Sequence, residues 1–382
     1  MPVKIFKKFF KPKKLNVFFK IILFFNFAVS ISLLLSYLAV YISPQTNSYL
    51  PFFGLAYPFF LIGNFLFFVF WLLQRNKWIF LSLGVFLIGV NHFRHFFQLT
   101  LWQGAQQENS KKIKVMCYNV RLFDWYNWTE NKKTRNKIFQ LLKETDADIY
   151  CFQEFYNWGA DKRFQTRDTM ITFLRAKNIH EGFTHYIPNG EQRFGLATFS
   201  AFPIVKKELI TFDNDPNNCA LSTDININGK IIRVFNLHLS SIRFQKADYE
   251  YLGDKKNSKQ WEKKKDPEQK IISRLKNAYI KRSQQVEIIL NKIQKSPYPV
   301  LVCGDFNDTP VSYTYRQMTK ELWDAFVESG NGTGSTYIGM FPFLRIDYIL
   351  HSKELHAYQF NTHSEELSDH HAISCIIELL EN

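Results

Sequence analysis

Polar residues of a few types recur at the ends of apolar, strand-like runs, and those types suit one kind of chemistry. Asn119 ends Ile-Lys-Val-Met-Cys-Tyr-Asn, Glu154 follows a run that closes on Gln153, and His238 lies in Phe-Asn-Leu-His-Leu. Asp305 and Asn307 follow an apolar run as Gly-Asp-Phe-Asn, Asp347 lies in Arg-Ile-Asp-Tyr, and Asp369 and His370 lie in Ser-Asp-His-His. The ends of strands are where an α/β sheet presents functional groups. Carboxylates and amide oxygens suit a hard cation, and magnesium commonly takes one or two protein carboxylates, leaving places for phosphate and water. Two histidines among carboxylates supply the acid, base and charge stabilisation that phosphoester hydrolysis needs. Singly, each residue has an ordinary explanation: a solvated strand end, a turn aspartate, a hydrogen-bonded core histidine. The expectation rests on the set and its order.

The elements that must gather these side chains are readable from Ile113 onward. Short apolar runs near 113–119, 148–153, 194–200, 219–227, 231–239, 299–304, 345–351 and 372–379 predict strands. Helices are predicted near 132–144, 167–178 and 271–294, in the order of a layered α/β domain. Residues 243–270 are polar and lysine-rich and read as an inserted surface segment. No P-loop or dinucleotide glycine fingerprint is present, and Asn331–Gly334 reads as a turn. Five widely spaced cysteines in apolar runs (Cys117, Cys151, Cys219, Cys303, Cys375) show no zinc-ligand spacing and no disulfide framework, and are expected as small buried hydrophobes.

Charge divides the chain near residue 107. No Asp or Glu precedes that point, against ten Lys and Arg, so 38 of the 48 basic residues face all 34 acidic ones after it. The net charge of +14 therefore resides mostly in the first part, where it reflects membrane topology better than nucleic-acid binding. Residues 21–43 and 50–73 are uncharged runs long enough to span a bilayer. A third apolar segment from Trp78 is interrupted by His92, Arg94 and His95, and either crosses with Arg94 at the interface or lies in it. The expected organisation is a membrane anchor of two or three transmembrane helices over 1–107 and a catalytic domain over 108–382. The seven N-terminal lysines, Lys4 to Lys20, favour a cytoplasmic N-terminus, so three spans would put the catalytic domain on the periplasmic side of a bacterial inner membrane and two would keep it cytoplasmic.

Gly-Asp-Phe-Asn, then Arg-Ile-Asp-Tyr, then Ser-Asp-His near the C-terminus, with Asn119 and Gln153-Glu154 ahead of them, resembles the endonuclease/exonuclease/phosphatase superfamily. The likeness runs from about Lys112 to Leu380, includes GLATFSAFPI at 195–204, and is greatest to membrane-anchored bacterial members. The resemblance implies a four-layer α/β sandwich, two packed mixed β-sheets flanked by helices, behind an N-terminal transmembrane region. It implies Mg2+, with Mn2+ as a substitute, held mainly by Glu154 with Asn119 helping and Asp369 supporting. It also implies that Asp305 and Asn307 orient the attacking water and that His370 accepts its proton, with Asp347 fixing the imidazole tautomer. His238 would stabilise the phosphorane or protonate the leaving oxygen. One position departs: some nuclease branches carry Asp two residues after the first Asn, and here Arg121 stands there, which favours a single-metal site. The partners expected are a phosphoester substrate, nucleic acid first and a phospholipid headgroup second, and the lipid bilayer, with no protein partner evident. A catalytically silent tethered module on the same fold is the remaining reading.

Overall fold

The computed structural model describes residues 16–100, 111–187, 191–242, 267–339, 341 and 343–380. The expected boundary at 107 and most of the lysine-rich insertion lie outside the described residues, as do the N-terminal lysines up to Lys14. The chain divides into two compact units, Met1–Phe96 with Thr309–Arg316, and Phe97–Asp308 with Gln317–Asn382.

The first unit is helical: α1 Val17–Ala39, α2 Leu50–Leu55, α3 Tyr57–Leu73, α4 Ile79–Ile88 and α5 Val90–Phe96. At 23 residues and mean hydropathy 2.2, α1 is long and apolar enough to cross a bilayer. Helix α3, at 17 residues, is shorter, and α4 with α5 passes the same test only as one span bent by 65°. Phe18, Phe24, Phe25, Phe65, Leu66 and Leu73 face outward, an arrangement suited to lipid. Polar groups face inward. The Asn26 amide donates to Ser82 Oγ (3.0 Å) and its oxygen accepts from Trp71 Nε1 (2.9 Å), so one side chain of α1 ties α3 and α4 together. Thr309–Arg316 belongs to this unit: Val311 is buried with Leu33, Tyr37, Val40, Tyr57 and Val85.

The second unit is a sandwich of two six-stranded mixed sheets. Strands β2 Lys111–Asn119, β3 Ile149–Trp158, β4 Asn178–Ile187, β5 Gln192–Ser200, β13 Leu355–Thr362 and β14 Ile373–Leu379 form one, ordered β13-β14-β2-β3-β5-β4. Strands β6 Ile204–Thr211, β7 Cys219–Ile227, β8 Lys230–His238, β9 Val300–Asp305, β10 Trp323–Asp324 and β12 Asp347–His351 form the other, ordered β10-β12-β9-β8-β7-β6. A small ribbon pairs β1 Gln98–Leu99 with β11 Asn331–Gly332, so the first half of the expected turn at 331–334 is a short strand, and Gly332 and Gly334 take positive φ. Within each large sheet one neighbouring pair is parallel, β2 with β3 and β8 with β9.

Alternation along β2 shows why the sequence makes layers. Ile113, Val115 and Cys117 enter the core between the sheets, while Met116 and Tyr118 point the other way. There they meet Ile138, Leu141 and Leu142 of α6 Thr134–Thr145 and Met170 of α7 Thr166–Phe173. A strand buried on both faces reads as a continuous apolar run rather than an alternating one. Helix α8 Pro267–Gln294 is tied to the other sheet by Lys292 to Glu208 of β6. All five cysteines are buried and free, as expected of small hydrophobes. The predicted helix 167–178 is shorter: α7 stops at Phe173, and residues 178–187 form strand β4 instead.

A buried amide braces the two sheets. Asn236 Nδ2 of β8 reaches Phe152 O (3.2 Å) and Ala197 O (3.1 Å), and its oxygen accepts from Gln153 Nε2 at 2.7 Å. Removing it strips buried acceptors of their donor, at about 2–3 kcal/mol. In the detergent-solubilised full chain, Asn236→Leu is therefore expected to lower the Tm by about 5–10 °C; an unaltered Tm would deny the brace.

Candidate active site

Strand register brings the singled-out residues into two rows, one per sheet. In the β8-containing sheet, His238 pairs in parallel register with Asp305, and Asp305 in antiparallel register with Asp347. Three adjacent strands thus carry three functional side chains in one line. In the other sheet Asn119 ends β2 opposite Gln153 of β3, so Glu154 follows directly, while Asp369 and His370 immediately precede β14.

Local backbone aims these groups. The β3–β5 register shifts between Phe152 and Phe155, and Glu154 takes φ 49° inside that irregularity. Such a bulge re-aims a side chain that the regular pleat would direct elsewhere. Asn307 takes φ 52°, its N–H donating back to Asp305 Oδ1 (2.8 Å) and its side-chain amide to Leu239 O (3.0 Å).

Between the rows the polar atoms meet. Asn119 Nδ2 donates to Asp305 Oδ2 (3.1 Å) and, more weakly, to Glu154 Oε1 (3.5 Å). His370 Nδ1 lies 2.8 Å from Asp347 Oδ2, while its Nε2 stands 3.7 Å from Asp305 Oδ2. His238 Nε2 is likewise 3.7 Å from Asp305 Oδ2, so both imidazoles converge on one carboxylate. Asp305, Asp347 and His370 offer ligand atoms all within 4.8 Å of one another, a group that could hold a metal ion. Asp369 stands at the rim, with Arg121 Nε 3.3 Å from its Oδ2. All eight residues expected from the sequence therefore reach one end of the sandwich: Asn119, Glu154, His238, Asp305, Asn307, Asp347, Asp369 and His370. A cavity of about 210 Å3 opens beside Glu154 and His238, bounded also by Leu122, Thr184, Phe194 and Asn217.

Supporting residues escaped the sequence reading. Asn218 donates to His238 O (3.1 Å) and Leu239 O (3.0 Å), the Ser368 hydroxyl donates to Asn119 O (2.8 Å), and Thr336 Oγ1 accepts from Asp347 N–H (3.2 Å). Ser368 carried a signal as the first residue of Ser-Asp-His, and Asn236, the brace, as the residue two before His238 in the same strand. In the turn after Asn119, Trp125 stacks on buried Tyr156 at 4.5 Å, whereas Tyr126 and Trp128 are exposed.

Gathering carboxylates under cover is electrostatically costly. Burial raises the Glu154 carboxyl to about 7, with Asp369 and Asp305 adding to the effect against His370 and Asn119. Burial likewise lifts Asp305 above its ordinary range, and Asp347 adds to it. Burial disfavours a charged His370, but Asp347 and Asp305 overcome this and hold its pKa well above the ordinary imidazole value. All three shifts are upward. Their stabilising contribution is complete below the unfolded pKa and disappears as pH rises through the folded one, for Glu154 between 4.5 and about 7. Chelator-treated protein should thus lose thermal stability from about pH 5 to about pH 8, and added Mg2+ should restore progressively more of it over that interval. A Tm that stays level or climbs with pH in chelator would contradict this electrostatic account.

No functionally curated protein matches the chain. A domain of unknown function (DUF8431) matches residues 19–96, the helical part. Among solved structures, an endonuclease/exonuclease/phosphatase family protein from Bacteroides thetaiotaomicron matches with TM-score 0.51 and 15% identity, covering 71% of this chain and 99% of that one. An endonuclease/exonuclease/phosphatase from Beutenbergia cavernae matches with TM-score 0.50 and 14% identity, over 71% and 72%. At such identities these likenesses bear on the fold, which is the two-sheet sandwich described above. The model of the Endonuclease/Exonuclease/phosphatase family matches residues 116–370, from β2 to His370. The chain therefore belongs to the endonuclease/exonuclease/phosphatase family, whose members are phosphoester hydrolases that generally depend on a divalent metal.

Proposed function

We propose that the protein is a membrane-anchored, magnesium-dependent phosphodiesterase of nuclease type, able to use Mn2+ in place of Mg2+. The observation that carries this reading is the convergence of both imidazoles on Asp305 beside Asn119 and Glu154. The donors are oxygens of the kind a hard cation prefers, and the buried Asp347 Oδ1 has no hydrogen-bond partner, which suits a site completed by water or an ion. Glu154 is the main ligand, Asn119 helps to hold the ion or its water, and Asp369 supports that side of the site. A bound divalent ion would supply positive charge to offset that on the phosphoryl oxygens.

The chain's own residues then have distinct tasks. Nδ1–H of His370 donates to Asp347, leaving the Nε2 lone pair to accept the proton of an attacking water. Asp305 and Asn307 orient that water and contact the phosphoryl group. Across Asp305, His238 stabilises the phosphorane or protonates the departing oxygen. Positioning and electrostatics supply most of the rate in such an in-line displacement.

The anchor is the N-terminal helical unit. Three passes, by α1, α3 and the bent α4–α5 pair, with the N-terminus cytoplasmic, put the catalytic domain on the periplasmic side of a bacterial inner membrane. A second substrate reading keeps the same chemistry and acts on a phospholipid headgroup; exposed Tyr126 and Trp128, after Asn119 in the chain, favour it.

The full chain in detergent is expected to hydrolyse a bis-phenyl phosphodiester and oligonucleotides with Mg2+ and to stop with chelator, and to prefer oligonucleotides to liposomes. Glu154→Gln or His370→Ala should each reduce turnover about 10²-fold or more, and for Glu154→Gln the metal-free Tm should stay within a few degrees. Undiminished turnover in both variants would leave the silent-module reading standing. For topology, a reporter fused at the C-terminus should be active only outside the cytoplasm; activity inside would mean an even number of passes.

A further inference from the structure

Arg121 occupies a position that the proposed mechanism does not use. It follows Asn119 by two residues, at the start of the turn Arg121–Asp124 in which all four residues take positive φ, from 41° to 56°. This unusual backbone is pinned from both sides: Asn119 Oδ1 accepts the Arg121 N–H at 3.1 Å, and Thr129 N–H donates to Asp124 Oδ1 at 3.3 Å. The guanidinium is held equally firmly. It stacks on Trp128 at 4.3 Å and directs Nε to Asp369 Oδ2 at 3.3 Å, while its side chain stays one-third exposed. A planar guanidinium carries five donors, and this geometry commits one of them to Asp369.

Charge balance says what the other donors are for. Glu154, Asp305, Asp347 and Asp369 place four carboxylates around the site, and Arg121 stands against the one at its rim. One divalent ion cancels half of that charge, so an incoming phosphodiester monoanion still meets a negative surround unless a fixed cation stands beside it. Arg121 is that cation, pre-oriented by Trp128 and Asp369 and still open to solvent. Guanidinium donors match phosphate oxygens in pairs.

We propose that Arg121 clamps a non-bridging oxygen of the substrate phosphoryl group, supplying in a side chain the second positive charge that a single-metal site lacks. This rests on the phosphoester reading of the same site. Asp369 then serves both to support the ion and to hold the clamp in place. The contact is to phosphate alone, so it serves nucleic acid and lipid phosphodiesters equally.

The test is binding of inorganic phosphate to the detergent-solubilised full chain with saturating Mg2+, by calorimetry, for wild type, Arg121→Gln and Arg121→Lys. Arg121→Gln is expected to weaken phosphate at least about tenfold, with Mg2+ affinity unchanged and the Tm within a few degrees. Arg121→Lys should keep part of the affinity, as a point charge without the fork. Turnover of the bis-phenyl diester should follow, with the loss expressed mainly in KM. Phosphate affinity within twofold of wild type in Arg121→Gln would overturn the proposal, as would a wild type that binds no phosphate. So would a parallel fall in Mg2+ affinity, which would mean that Arg121 acts only by holding Asp369. A wild type that binds phosphate through Arg121 yet hydrolyses no diester would instead defeat the enzymatic reading and leave the clamp intact.

Discussion

Asp305 is opposed in register by Asp347 on one neighbouring strand and by His238 on the other, and everything at the site follows from covering that carboxylate. A buried carboxylate beside another is stable only with compensating donors or cations. Asn119 supplies a donor from the opposite sheet, and the two imidazoles supply positive charge on demand. The compensation is incomplete, as the elevated pKa values of Glu154 and Asp305 record. An incompletely neutralised ring of oxygens is what a hydrated divalent ion requires, so the instability of the bare site and its capacity for metal are one property.

Such a site demands a rigid frame, because two of its parts come from different sheets. Glu154 and Asn307 both sit at positive φ without being glycine, as does Arg121, at about 1–3 kcal/mol each. These conformations persist because their surroundings over-determine them: the β3 bulge for Glu154, the Asp305 and Leu239 contacts for Asn307, the Asn119 and Trp128 contacts for Arg121. Strain here concentrates where side chains must leave the regular pleat to face a common point.

What was legible in the sequence follows the same physics. The eight strands readable from apolar runs are the eight inner strands of the two large sheets. The four missed are their edges: β4 and β13 in one sheet, β6 and β10 in the other. Edge strands stay polar to discourage further pairing, as Lys206, Lys207 and Glu208 of β6 do, and so lose the pattern that makes a strand readable. Functional residues were legible for the converse reason, since a carboxylate or imidazole closing an apolar run breaks the expectation for its place. Supporting groups such as Thr336 and Asn218 break none, because hydroxyl and amide side chains are ordinary in loops, and Ser368 stood out only as a neighbour of Asp369 and His370. Their roles depend on contacts made only in the folded chain, from Thr336 to Asp347 and from Asn218 to His238, and Ser368 meets Asn119 from 249 residues away.

Each unit uses a buried amide to hold its elements together. Asn26 joins three apolar helices through Ser82 and Trp71, and Asn236 joins two sheets through Gln153 and two backbone carbonyls. An apolar residue in either place would bury more hydrophobic surface, but hydrophobic contact is non-directional and tolerates small slips of one element past another. A hydrogen-bonded amide does not, because a slip leaves a buried donor or acceptor without its partner. In the sandwich the consequence is catalytic. Asn236 lies two residues before His238 and its partner Gln153 one before Glu154, so the brace that fixes the sheets also sets the distance between the acid side of the site and its metal side.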